Sequence, residues 1–142
     1  MKNTNHIIAL ISHIRDKANR LIIAELEKNS IVGLVPSHGN ILQLLFTTED
    51  SLTMREISLQ INRDKSTVTA LVNKLFKLGY IEKQKHLLDS RSTVIVLTSK
   101  GLALRPIFDE ISENLLERVY RGIGQKERVE VVSVLEKINS NI

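Results

Sequence analysis

The chain has 142 residues, 42% hydrophobic and 25% charged, the size and composition of one ordinary globular domain and not of a large multidomain enzyme. It contains no cysteine, which removes disulfide frameworks, thiolate zinc sites, thiol nucleophiles and cysteine-based redox sensing together. The net charge of +4 is concentrated in one place: residues 53–100 hold nine Lys and Arg against four Asp and Glu, while 1–52 balance at five against five and 101–142 hold six against seven. That asymmetry is the footprint expected of a nucleic-acid-binding segment between neutral scaffolds, although a solvated basic face would give the same count.

From the N-terminus, the stretch MKNTNHIIALISHIRDK is too interrupted by Ser12, His13 and Arg15 to serve as a signal peptide, and no apolar run approaches the ~18 residues of a membrane span. A cytoplasmic protein without a membrane partner is therefore expected. Six glycines and two prolines are few, which favours helices, and five aromatics without tryptophan leave little for the stacking platforms of single-strand binders.

Between His6 and Glu27, the apolar residues Ile7, Ile11, Ile14, Ala18 and Leu21 recur in heptad-like steps, and Ile8, Leu10, Ile22 and Ile23 widen the stripe beyond the needs of a lone surface helix. Ser30 and Gly33 interrupt the pattern, and Pro36-Ser37 opens a short helix through Phe46. Thr53 and Glu56 have capping-box spacing, which predicts a helix from about Met54 to near Asn62. Asp64 is the natural N-cap of a further helix, Lys65 to Leu78, with Gly79 in the position that ends it. Two helices joined by so short a turn make a helix-turn-helix.

Behind Gly79 the period changes to alternation. Tyr80–Lys85 and Thr93–Leu97 read as strands around the polar loop HLLDSRS, forming a wing. Thr98 is expected to cap one long helix with Leu104, Phe108, Ile111 and Leu115 on a seam. Gly122 and Gly124 break it near Tyr120, and a last helix turns Val132, Leu135 and Ile138 inward. The fold class is thus mainly α with a small two- or three-stranded antiparallel β wing. It divides into an N-terminal helix (1–35), a winged helix-turn-helix lobe (36–100) and C-terminal helices (101–142).

On the Lys65–Leu78 helix, Val68, Leu71, Val72, Leu75 and Leu78 take the inner face. Ser66, Ala70, Asn73 and Lys77 take the outer one, with Lys65 at its start and Thr67, Thr69 and Lys74 on its shoulders. Small hydroxyls, an amide and lysines suit a helix in the major groove, where Asn can bond adenine and Lys can meet phosphate or guanine. Lys83 and Lys85 share one face of the wing, and Arg91 stands at its tip, placed to enter a minor groove. Asp89 either accepts from Arg91 and fixes its guanidinium or shapes the loop as an Asx turn. His86, also in the wing, is a candidate phosphate contact.

The ordered pieces DKSTVTALVNKLFKLGYIEK (Asp64 to Lys83), DSR (Asp89 to Arg91) and LTSKG (Leu97 to Gly101) resemble the MarR-type winged helix-turn-helix transcriptional regulators, and the flanking helices extend the likeness over essentially the whole chain. The resemblance implies a homodimeric repressor, less often an activator, on a pseudo-palindromic double-stranded DNA operator. The Lys65 helix would be its recognition helix and Arg91 its wing arginine. It further implies dimerisation through the first and the last two helices, here by Ile7, Ile11, Ile14, Phe108, Ile111, Leu115, Val132, Leu135 and Ile138. No cofactor is required; relief by small aromatic acids or other hydrophobic anions, bound between the dimer helices and the lobe, is implied. Arg15, Arg20 and His38 are candidates to hold such an anion.

The turn Asn62-Arg63 departs from the glycine and aliphatic residue common in the family, so Arg63 is either an extra phosphate contact or a residue that loosens the turn. His6 and His13 lie seven apart on one helical face, but with no histidine after His86 no metal site is expected. Enzyme signatures such as H-E-x-x-H, G-x-S-x-G or a P-loop are lacking. The rival reading is a winged-helix protein-interaction module without DNA readout.

Overall fold

The computed structural model describes residues 2–49, 51–89 and 91–142. Among the described residues, seven helices and three strands follow one another as α1 (Ile7–Lys28), α2 (Pro36–Thr47), β1 (Ser51–Thr53), α3 (Met54–Ile61), α4 (Lys65–Lys77), β2 (Ile81–Lys85), β3 (Thr93–Leu97), α5 (Ser99–Leu102), α6 (Arg105–Val119) and α7 (Gln125–Asn141). The three strands form one antiparallel sheet in the order β1-β3-β2. β1, with Leu52 opposite Ile95, is too short for an alternating pattern to announce it.

The core is built from inward residues of every element of the lobe. Ile41, Leu42, Leu45 and Phe46 of α2 meet Ile57 of α3, Val68, Val72 and Leu75 of α4, and Ile81 and Ile95 of the sheet, all buried. Burying a side chain of this kind stabilises by roughly 1.5–3 kcal/mol relative to exposure, so this cluster and not the short turn between α3 and α4 fixes the angle at which α4 is presented. The capping box starts α3 as its spacing predicts: Glu56 N–H donates to Thr53 Oγ1 at 3.1 Å and Thr53 N–H to Glu56 Oε1 at 3.2 Å. Asn62 takes the left-handed conformation that closes the turn (φ 53°, ψ 52°).

The C-terminus of α4 is held more firmly than its sequence suggested. Gly79 at φ 84° allows a Schellman turn in which Gly79 N–H donates to Phe76 O and Tyr80 N–H to Leu75 O. The segment after β3 then supplies the carbonyls of Leu78, Gly79 and Tyr80 with donors: Lys100 Nζ to Leu78 O (2.7 Å), Thr98 Oγ1 to Gly79 O (2.6 Å) and Thr98 N–H to Tyr80 O (3.1 Å). The Lys100 ammonium also stands 4.9 Å from the centroid of the Tyr80 ring.

Three expectations are corrected. Thr98 does cap a helix, with Gly101 N–H donating to its Oγ1, but that helix is the four-residue α5; the chain turns at Ala103-Leu104 and starts afresh as α6, whose first turn holds Pro106. Proline cannot donate within a continuing helix, so one unbroken helix from Thr98 is excluded. Phe108 and Ile111, assigned to a dimer seam, lie in the chain's own core, with the Phe108 ring edge-on to Phe46 at 5.8 Å. In the last helix, by contrast, nothing is turned inward: no residue of α7 is buried, Val132 and Leu135 are exposed and Ile138 is half-buried. Its angle is set at the elbow, where Arg128 donates to Ile123 O (2.8 Å) and Tyr120 O (3.3 Å) and lies 4.8 Å from the Tyr120 ring centroid.

Gly101 is packed so closely that a Cβ there would lie 2.0 Å from the Tyr80 carbonyl oxygen. Gly101→Ala should therefore force α5 off the end of α4, destabilising the fold by about 1–3 kcal/mol and lowering the thermal midpoint by several degrees in circular dichroism. An unchanged midpoint would contradict the docking described.

Candidate nucleic-acid interface

α4 lies with Val68, Val72 and Leu75 against the core, which leaves its opposite side to solvent. Lys65, Thr69 and Asn73, one turn apart on one helical stripe, form a wall of a groove of about 590 Å³. Arg55 of α3, Lys83 of β2 and Arg91 of the wing line the same groove. Four cations with a hydroxyl and an amide between them make a concave surface suited to a polyanion with polar edges.

The wing residues carry out both readings of Asp89. Its Oδ1 accepts from Arg91 N–H at 3.0 Å, the Asx turn, and from Arg91 Nε at 3.3 Å, which orients the guanidinium while the Arg91 side chain stays 91% exposed. Ser90, between them, lies outside the described residues. His86 turns inward to the loop and not out towards a phosphate: its Nδ1 accepts from the N–H groups of Leu88 (3.1 Å) and Asp89 (3.3 Å). Lys85 is exposed at the end of β2, opposite Thr93.

The remaining predicted contacts are distributed more widely. Asp64 occupies the N-cap position, and its carboxylate accepts the hydroxyls of Ser66 and Thr67, hydrogen bonds that hold its pKa below the usual carboxylate range. Those two hydroxyl protons are thereby committed. Ala70 and Lys77 are exposed along α4, outside the groove lining. Lys74 leans the other way, its Cε 3.5 Å from where a Cβ on Gly33 would stand, and its charge adds to burial in pushing the pKa of His38 down. His38 itself is a packing residue, its Nδ1 accepting from Val35 N–H at 2.9 Å. Arg63 reaches away from the groove to Ser37, with Nη2 3.5 Å from Oγ, and is corrected from a phosphate contact to a residue of the scaffold side.

A second cavity, of about 450 Å³, opens on that side between α1, α2 and α6. Arg15, Asn19, Gln43 and Arg63 supply its polar lining, and Phe108 and Ile111 part of its apolar floor. Arg20 is not among its lining residues; its Nε donates to Asp16 O at 3.4 Å along α1. Among the described residues no three His, Asp or Glu side chains converge on a point.

Sequence reasoning missed Arg55 and Phe76. Arg55 sits in the first turn of α3, where nothing in the sequence ties it to α4. Phe76 is 49% exposed on α4, and an aromatic at that position reads as core. Leu87 and Leu88 were also passed over, although both stand fully in solvent at the wing tip.

The sequence model of the MarR family matches residues 34–93, which span the lobe from α2 to the start of β3. Two curated relatives are the HTH-type transcriptional regulators SarZ of Staphylococcus haemolyticus, 29% identical over 93 residues, and of Staphylococcus saprophyticus, 30% identical over 77. These matches take in 66% and 54% of this chain but only 62% and 53% of the relatives, so the chain spans a little over half the length of each. Among solved structures, a MarR transcriptional regulator from Methanosarcina mazei Go1 superposes with a TM-score of 0.83 at 25% identity, covering 97% of this chain and 96% of that one. The MepR protein of S. aureus, solved in complex with DNA, superposes over the whole of both chains with a TM-score of 0.85 at 22% identity, a likeness of fold. No helix among the described residues is long and apolar enough to cross a membrane. The capped helix pair, the wing and the docked α5 thus form a winged helix-turn-helix whose sequence is similar to the MarR family over residues 34–93 and whose fold is that of the MarR transcriptional regulator from M. mazei.

Proposed function

We propose that this chain is a sequence-specific double-stranded DNA-binding transcriptional regulator, a cytoplasmic homodimeric repressor that acts by occupying a pseudo-palindromic operator and not by catalysis. The observation that carries the reading is the groove in which Lys65, Thr69 and Asn73 of α4 face Arg55, Lys83 and an oriented Arg91. α4 enters the major groove, and the wing brings Arg91 to the adjacent minor groove, where the narrow, negative channel favours a guanidinium.

Dimerisation follows from surface that one chain leaves uncovered. Ile7, Ile8, Leu10, Ile11 and Ile14 on α1 are exposed, as are Val129, Val131, Val132, Val134 and Leu135 on α7. A helix of 17 residues with nothing buried would be marginal in water, so α7 requires a partner surface, and a second copy supplies matching stripes. Half-buried Ile138 extends the stripe on α7, and half-buried Leu115 of α6 lies beside Ile14 of α1.

The cavity between α1, α2 and α6 is the proposed effector site, taking a small aromatic or hydrophobic anion between the Arg15 and Arg63 guanidinium groups and the Phe108 ring. Because Arg63 directly precedes the α4 N-cap, a ligand that draws on it changes the position of the DNA-reading helix, provided it binds the two states unequally.

Fluorescence anisotropy on duplexes from the chain's own upstream region and on scrambled controls, across a salt series, tests the DNA reading. A preference of about a thousandfold at physiological salt is expected, with Arg91→Ala weakening specific binding about tenfold or more at unchanged secondary structure. Unchanged affinity would remove Arg91 from the interface, and no binding at any salt would leave an interaction module instead. For the effector site, benzoate and related aromatic acids in large excess should raise the thermal midpoint in wild type, with the shift lost in Arg15→Ala and Arg63→Ala. No shift with any acid would contradict it.

A further inference from the structure

Lys83 does something more specific than add charge to the groove. It stands on β2 in register with Ile95, on the sheet face that carries the buried Ile81 towards α4. From there its Nζ donates to Asn73 Oδ1 and lies 5.0 Å from the centroid of the Phe76 ring. The half-exposed Phe76 thus acts as a platform that keeps the ammonium over α4, by cation–π attraction and contact with the lysine stem.

The chemistry of this pair determines which way the Asn73 amide faces. A lysine ammonium is only a donor, so the atom it meets must be the carbonyl oxygen, and the amide NH2 is left facing the groove. An asparagine that recognises adenine uses both ends, accepting from N6 through Oδ1 and donating to N7 through Nδ2. Here Oδ1 already has a charged partner, and the positive charge beside it disfavours the approach of the adenine N6 amino group. The remaining donor fits base edges that present acceptors, above all N7 and O6 of guanine, with O4 of thymine next.

We infer that Lys83 is a positioning residue that sets the base read by Asn73, turning an adenine-reading amide into a donor for guanine or thymine. The inference rests on the proposed DNA reading of the same groove. It makes the wing strand part of the recognition surface in the major groove, and not only an arm into the minor groove.

Selection of bound sequences from a randomised duplex pool tests it with the full-length chain in four forms: wild type, Asn73→Ala, Lys83→Met and Lys83→Arg. Asn73→Ala identifies the operator position by the base preference it loses. At that position wild type should select guanine or thymine. Lys83→Met, which keeps the stem over Phe76 but has no donor, should shift the preference towards adenine by about tenfold or more. Lys83→Arg, again a donor-only cation, should keep the wild-type preference.

Should Lys83→Met select the same sequences with uniformly weaker affinity and a salt slope reduced by about one, Lys83 is a phosphate contact and the inference is overturned. It is equally overturned if Asn73→Ala loses no base preference. If wild type enriches no sequence at all, the DNA reading itself has failed, a result distinguishable from the other two.

Discussion

The arrangement depends on how the C-terminal end of α4 is tied down. A helix leaves its last carbonyls without partners. Here the Schellman turn at Gly79 satisfies two of them, and Thr98 and Lys100, which follow β3 where it pairs with the start of β2, satisfy Leu78, Gly79 and Tyr80. The close approach needs Gly101, since no side chain fits against the Tyr80 carbonyl. One small segment therefore joins α4, the exit of the wing and the entry to the scaffold helices. A displacement of the scaffold can reach α4 through it, through the turn at Arg63, or through α2, which packs on both scaffold and α4.

The second organising element is the division of labour among charges. Asp64 takes two hydroxyls and keeps its charge, Asp89 orients Arg91, and Lys74 turns back towards the linker and His38. Of the nine cations in residues 53–100, Arg55, Lys65, Lys83 and Arg91 line the groove. In the proposed complex these supply the salt-dependent part of binding, while Thr69 and Asn73 between them supply base discrimination. At the other end of the chain, the contacts of Arg128 with Ile123, Tyr120 and its ring fix the α6–α7 elbow, so that α7 is held out as a preformed surface.

Much of this was legible in the sequence, for definite reasons. The Thr53–Glu56 capping box, the N-cap Asp64, the αL residue Asn62 and the terminating Gly79 are local signals whose physics does not depend on the rest of the fold, and α3 and α4 lie where these signals put them. Asp89 and Arg91 are two residues apart, so their pairing was equally local. What failed was non-local. Phe108 and Ile111 have the same heptad spacing whether they face a second chain or Phe46, and periodicity does not name the partner. The break before α6 was signalled by Pro106 and overlooked because the apolar seam runs on through it. Arg63, Arg55 and Lys83 took their roles from elements brought beside them by the fold: Ser37 lies 26 residues from Arg63, and Asn73 ten from Lys83.

The central claim is that two copies of the chain read DNA together, each with α4 in a major groove and its wing in the flanking minor groove. Hydroxyl-radical footprinting of the dimer on a selected high-affinity duplex tests it most directly. The account predicts two equivalent protected half-sites whose centres are about 10 base pairs, one helical turn, apart, each with an outer minor-groove segment whose protection disappears in Arg91→Ala. A single protected half-site, or protection without helical phasing that Arg91→Ala leaves unchanged, would contradict it.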